Sequence, residues 1–232
     1  PDQAREQGEH SGHDRGAYVS RVRRRAALRI ARHRPTLRGV VARDPHSALP
    51  EGFARAVASL RPVRMRSEIR LAEAPAPARL APFAVALTAE VGAADDEIAT
   101  GRFVVLHDPA GQDSWQGCSR IVAYVRAELE PEMAADPFLA EVAWTWLTEA
   151  LARRVPAPGA RALGGTVTRV SSDSYGTMAA RPPIAHVELR VSWTPDGDDL
   201  GPHLEAWGDV LASAAGLPPW PAGAAALPSR RR

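Results

Sequence analysis

The chain has 232 residues, of which 45% are apolar, and this is enough to bury the core of one ordinary domain with extensions. All 29 basic residues are arginine; the lack of lysine excludes a P-loop lysine, a kinase-type phosphate lysine, a pyridoxal Schiff base and a biotin or lipoyl attachment site. With one cysteine, Cys118, the chain has no thiolate zinc cluster, no C-x-x-C redox pair and no intramolecular disulfide, which agrees with a reducing compartment.

Charge is distributed unevenly around a formal net charge of +2. Residues 1–50 carry 11 Arg against 5 acidic residues, whereas residues 51–232 carry 18 Arg against 22. The composition of residues 1–50 predicts an Arg-rich disordered extension. The alternative is a nucleic-acid-binding segment that contacts phosphates through a basic cluster. That cluster comprises Arg21, Arg23, Arg24 and Arg25.

Apolar residues spaced three and four apart predict three amphipathic helices. The first follows Pro50, the second follows an N-cap at Asp136 with Pro137 at its first position, and the third starts near Asp199. The predicted apolar stripes are Phe53, Val57 and Leu60; Leu139, Val142, Ala143, Trp146, Leu147, Ala150 and Leu151; and Leu200, Leu204, Trp207, Leu211 and Ala215.

Alternating apolar and polar residues predict six strands, at about 67–73, 83–91, 99–108, 119–130, 165–172 and 185–193. The Pro-containing stretch 155–162 is predicted to be a loop and 218–232 an irregular tail. The order helix, strands, helix, two strands, helix predicts a single α+β domain over residues 51–217. Its sheet is mainly antiparallel, with five to six strands and three packed helices.

The polar stretch between the third and fourth predicted strands holds His107, Asp108 and Asp113. A catalytic histidine needs a carboxylate partner, but adjacent residues of a strand point to opposite faces. The run from Asp108 to Gly111 is typical of a turn. We therefore interpret the stretch from Asp108 to Gly117 mainly as a connection between strands.

Glu128 and Glu130 share one face of the fourth predicted strand. Paired carboxylates hold Mg²⁺ or act as acid and base. The competing interpretation is cross-strand ion pairing on a solvated sheet face that also carries Arg126, Glu188 and Arg190. The catalytic candidates are thus His107, Asp113, Glu128, Glu130 and His186, and only their convergence in the fold would make an active site.

Tryptophans suggest a different kind of site. Trp146, Trp193 and Trp207 are predicted to be in the core, but Trp144 lies off the stripe of its helix and Trp115 lies in the polar connection. Tryptophan is enriched among the residues that anchor protein interfaces. The predicted partner-binding residues are Trp115, Trp144 and Arg126.

Several strings carry a resemblance to a known family: LAPFAVAL, ATGRFVVLHDPAGQDSWQG, YVRAELEPEMAADP, WTWLTEAL, GTVTRV and LEAWGDVLASAAGLPP. They resemble an actinobacterial family designated domain of unknown function number three thousand. The resemblance covers Phe53 to Pro228 and leaves out the Arg-rich first 50 residues. It implies a cytoplasmic actinobacterial protein and implies no particular activity.

The leading hypothesis is a cytoplasmic, non-enzymatic accessory module that binds a protein partner or a second copy, with no cofactor, no metal and no membrane contact. No stretch is long and apolar enough to predict a membrane span, and the first residues do not resemble a signal peptide. One alternative is an RNA-associated protein or a metal-dependent nuclease that uses Glu128 and Glu130 with arginines. The other is a small-molecule enzyme with a pocket that a sequence does not show.

Overall fold

A computed structural model describes residues 41–42, 48–93 and 96–218. The strands are β1 (Val41–Ala42), β2 (Ile69–Ala74), β3 (Phe83–Ala93), β4 (Asp96–Gln112), β5 (Gly117–Leu129), β6 (Ala160–Ser172) and β7 (Ile184–Pro195). The helices are α1 (Glu51–Leu60), α2 (Pro131–Ala134), α3 (Leu139–Arg154) and α4 (Gly201–Ala214).

The described strands form one antiparallel sheet in the order β1-β3-β4-β5-β7-β6, with β2 also paired to β3. β1 pairs with Phe83 and Ala84 and β2 pairs with Ala86 to Val91, while the other edge of β3 pairs with β4. β1 and β2 therefore lie end to end along the same edge, and the sheet is six strands wide. This confirms the predicted α+β fold with a mainly antiparallel sheet and three main helices.

The helices cover one face of the sheet. On β5, Ile121, Ala123, Val125 and Ala127 are buried, whereas Val122 between them is 38% exposed, as the period of two in a strand requires. The largest fully buried side chains of this core include Phe53 of α1, Leu147 of α3, Leu204 and Trp207 of α4, and Phe103 and Trp193 of the sheet.

The opposite surface of β4, β5 and β7 carries no helix of the described chain, and we call it the helix-free face. Alternation and strand register place on it Arg102, Arg120, Val122, Tyr124, Arg126, Glu128, His186, Glu188 and Arg190.

A close approach of backbone and side chain positions α4 on the central strands. A Cβ atom added to Gly101 of β4 would lie 2.6 Å from Cζ2 of Trp207. The indole Nε1–H of Trp207 donates to the carbonyl oxygen of Tyr124 at 3.2 Å. Gly101 therefore makes room for the ring that anchors α4 over β4 and β5.

Three element ends and the exposure of one residue differ from the predictions. α3 begins at Leu139, two residues after the predicted start at Pro137. β6 begins at Ala160, where pairing with Pro195 of β7 extends the strand into the predicted loop 155–162. β4 continues to Gln112 through an irregular register, so the predicted turn at Asp108 to Gly111 lies inside a strand. Val142 was predicted on a buried stripe but is 43% exposed, because it lies five residues before Leu147 and about 140° around the helix from it.

The short helix α2 was not predicted. None of the described helices is long and apolar enough to cross a membrane.

Candidate functional site

The sequence-predicted catalytic residues fall into two groups at opposite ends of the sheet. His107 of β4 is opposite Ser119 of β5, whereas Glu128 of β5 is opposite His186 of β7. Nine residues of extended chain separate Ser119 from Glu128, a distance of about 30 Å. Asp113 follows β4 at the first end and Glu130 follows β5 at the second, so the five groups do not meet.

His107 belongs to the core rather than to an open site. It is 9% exposed and stacks on Phe53 of α1, with ring centroids 5.2 Å apart and planes 14° from parallel. Its Nδ1 lies 2.9 Å from the hydroxyl oxygen of Ser119. Burial lowers the pKa of His107 against the opposing influence of Asp198 and Asp108. The ring therefore packs α1 against the end of β4.

Local hydrogen bonds fix the conformation of the polar connection after His107. The carboxylate of Asp108 accepts the backbone N–H of Ala110 at 3.1 Å and the side-chain amide of Gln112 at 3.2 Å. Asp113 opens a single turn of 3₁₀ helix, and Gln116 closes it with a left-handed φ of 56°. Local hydrogen bonds thus account for Asp108, and Asp113 is exposed.

Trp115 packs on a small second core on the β3 side of the helix-free face. The members of this cluster are Ala74, Ala81, Ala84, Ala86, Val104 and Leu106, with Ala76 and Trp115 half-buried against it. The hydroxyl of Thr194 in β7 donates to the carbonyl oxygen of Trp115. The indole is therefore held at the margin of the helix-free face rather than extended into solvent.

A charge network occupies the β7 side of the helix-free face. The Glu188 carboxylate lies 2.7 Å from Nη2 of Arg190 and 3.5 Å from Nε2 of His186. The Arg190 guanidinium lies 5.4 Å from the centroid of the Tyr124 ring. Burial and the neighbouring Glu188 carboxylate raise the pKa of Tyr124. The Glu188 charge is thus already balanced within its own face.

Three arginines of this face have no carboxylate ion pair within the described ranges. Arg102 donates to the carbonyl of Pro75. Half-buried Arg120 donates only to hydroxyls, at 2.8 Å to Ser192 and 3.2 Å to Thr194, and burial lowers its pKa. The side chain of Arg126, in the second half of β5, has no hydrogen bond or ion pair to another described residue.

Sequence reasoning singled out Arg126 but missed Arg120 and Tyr124. Their alternate positions in β5 place all three on one face, and this alternation is the feature of the sequence from which Arg120 and Tyr124 could have been found. The pattern does not show which arginines find a carboxylate, because that depends on the cross-strand register. Arg120 and Tyr124 therefore emerge only once β5 is paired with β7.

The sheet separates the predicted partner-binding residues. Trp115 and Arg126 belong to the helix-free side, whereas Trp144 belongs to α3 on the other side, half-buried against the main core. Glu128 and Glu130 are both exposed, and no group of three metal-ligating side chains occurs within the described ranges. Arg21, Arg23, Arg24 and Arg25 lie outside the described residues.

The fold and this surface define an α+β protein with helices on one face of an antiparallel sheet and an arginine-bearing surface on the other. A family model described as "Protein of unknown function (DUF3000)" matches residues 49–224, and the chain belongs to this family. Searches of curated proteins and of solved structures found no match.

Proposed function

We propose that this protein is a non-enzymatic binding module that takes an acidic segment of a partner protein on its helix-free face. One observation carries the proposal: Arg102, Arg120 and Arg126 lie on a surface without helices, and none has a carboxylate ion pair in the described chain. Arginine is enriched at protein interfaces, where its planar guanidinium binds carboxylates bidentately.

The arrangement of the face supports an acidic partner. Glu188 is occupied by Arg190 and His186, and the three arginines without a carboxylate ion pair outnumber the exposed Glu128, so the net charge left for a ligand on the face is positive. Val122 provides an exposed apolar contact beside Arg120 and Arg126 on the same strand. An apolar centre bordered by unpaired positive charge matches the usual composition of a docking surface.

Site-specific cross-linking tests the proposal in cells that make the protein naturally. A photoreactive amino acid at position 122 should cross-link a partner protein, whereas the same group at position 149, exposed on α3, should not. Replacing Arg126 by Ala should lower the yield about tenfold, the expected loss for one interface arginine. The matched variant Arg181→Ala, exposed outside this face, should leave it unchanged.

Equal adducts from positions 122 and 149, or an Arg126→Ala yield equal to wild type, would show that the helix-free face is not the docking surface. Raising the salt concentration should also weaken a partner held by exposed charges, because salt screens them.

RNA is the second candidate for the same face. Tyr124 among arginines resembles the stacking and electrostatic groups that hold single strands. An adduct at position 122 that nuclease removes would favour RNA and contradict a protein partner. RNA binding that survives Arg126→Ala and disappears when Arg21, Arg23, Arg24 and Arg25 become Ala would place the contact on the N-terminal cluster.

A further inference from the structure

β6 ends the sheet with an edge that no described strand covers. It pairs with β7 on one side from Ala160 to Ser172. On the other side its N–H and C=O groups have no backbone hydrogen bond to the described residues. A long unpaired edge is a template for another strand.

β6 also lacks the features that usually protect an edge. From position 162 to 172 it contains no proline and no acidic residue, and its only charge is Arg169. The register irregularity is confined to the end between Arg161 and Gly164. The opposite edge is different, since β2 has six residues and is followed by Pro75 and Pro77. The edge of β6 is therefore the one suited to strand addition.

The main core is incompletely covered next to this edge. Leu163 and Val167 of β6 and Trp144 of α3 pack against the core but are only half-buried. α3 contacts α4 through ion pairs of Arg153 and Arg154 with Asp209. At about 100° per residue, Trp144 lies about 180° around α3 from Arg153 and about 80° from Arg154. Since α3 also contacts β6, we place Trp144 on the flank of α3 next to the open edge.

We propose that a second copy of this chain pairs with β6 in the antiparallel sense, about a two-fold axis at Thr168. This register places Thr168 opposite Thr168 of the second copy, Thr166 opposite Val170, and Val167 opposite Arg169. Cross-strand pairs of β-branched residues and of Thr with Thr stabilise antiparallel strands, and no two like charges are opposed. The strand is thus complementary to itself.

The helix layers of two copies also fit this arrangement. α4 contacts both β4 and β5 and therefore lies above the gap between them. Packed helices lie about 8–10 Å apart, or two strand spacings of about 4.8 Å, so α3 lies beside α4 on the side of β6, which it contacts. A two-fold axis just beyond β6 then brings the two α3 helices next to each other across the junction of the two sheets.

The dimer would bury the half-exposed Trp144 between the two α3 helices. It would also leave the two helix-free faces side by side on one continuous sheet. The pairing does not depend on the function proposed above, because it uses the edge of the sheet and the flank of α3.

The test is sedimentation velocity of the full chain over a wide range of concentration. Wild-type protein should sediment as a dimer. Thr168→Lys should weaken the dimer at least about tenfold, because it opposes two like charges at the axis. The matched variant Thr177→Lys, exposed in the connection between β6 and β7, should remain dimeric. Mixing Thr168→Lys with Thr168→Glu should restore dimers, because opposite charges then meet.

A wild-type chain that stays monomeric throughout, or a Thr168→Lys variant that dimerises like wild type, would overturn the proposal. Circular dichroism melting identifies any variant that fails to fold. If Thr168→Glu unfolds because of its neighbour Glu188, the comparison of Thr168→Lys with Thr177→Lys still decides the question.

Discussion

His203 is a titratable side chain inside the main core. It is 1% exposed, and its Nδ1 accepts the indole N–H of Trp193 at 3.0 Å. Burial lowers its pKa from 6.5 to about 4. A proton on Nδ1 would place a charge in the core and remove the acceptor that Trp193 uses. His203 therefore stabilises the fold only in its neutral form.

This lowered pKa predicts a loss of stability in mild acid. Below pH 6.5 the unfolded chain takes up the proton that the folded chain does not bind until about pH 4. The free energy of unfolding should fall by at most about 3 kcal/mol as the pH falls from 6.5 to about 4. Above pH 6.5 the titration of His203 should not change it. Denaturant unfolding at about pH 7 and pH 4.5 measures the difference, which should shrink in His203→Gln. An unchanged difference in this variant would contradict the assignment.

The burial of a single residue was predictable where one sequence pattern determines its surroundings. Trp193 and Trp207 were expected in the core and are 0% and 1% exposed. Trp146 was expected there too but is only half-buried, and Trp144 packs against the same core although it lies off the stripe. A helical stripe describes one face of one helix, whereas α3 is covered by both α4 and the sheet. Large rings at the margins of the stripe therefore reach the core as well.

The contact between α3 and α4 combines apolar packing with a localised ion network. Arg154 donates to both carboxylate oxygens of Asp209, at 2.9 and 3.0 Å, and to Glu205 at 3.2 Å. The hydrogen bond to Asp209 is the main cause that raises the pKa of Arg154. Bidentate geometry and a half-buried Asp209 distinguish this pair from an ordinary surface ion pair.

Replacing Arg154 should therefore cost more than replacing its neighbour. We expect Arg154→Ala to lower the free energy of unfolding by about 1 kcal/mol, and Arg153→Ala, whose single contact to Asp209 is 3.5 Å, by less than about 0.5 kcal/mol. Urea unfolding of both variants gives the comparison. Equal losses would mean that the bidentate contact adds nothing to the helix pairing.

Elements were predictable from periodicity, but their ends were not. The patterns placed α1, α3, α4 and the strands β2 to β7 in the correct order. The start of β6 at Ala160 depends on a partner far along the chain, Pro195, and the irregular register after His107 depends on β5. Local sequence contains no information on such partners, so β6 was predicted too short and a bulged strand was predicted as a turn.

At the scale of the molecule, the order of the strands in the sheet determines which candidate residues lie close together. β7 lies between β5 and β6 although β6 precedes it in the chain. This order places Glu128 opposite His186 and Arg126 opposite Glu188, and it leaves His107 at the far end of the sheet. Strand patterns do not specify the order of strands, so the separation of the catalytic candidates into two groups was not predictable. The polar face itself was predictable, because alternation along each strand is enough to assign its residues to one face or the other.

A sheet with its main core on one side predicts opposite outcomes for two valines of the same strand. Val125 is 2% exposed beneath the helices, and Val122 is 38% exposed on the helix-free face. Val125→Ala should lower the free energy of unfolding by about 2 kcal/mol through lost burial and a cavity. Val122→Ala should cost about 0.5 kcal/mol, mainly the lower strand propensity of alanine, which both variants share. Denaturant unfolding measures both values in the same host strand. A cost for Val122→Ala as large as that for Val125→Ala would mean that a further part of the protein covers the face, which would remove the surface on which the proposed partner docks.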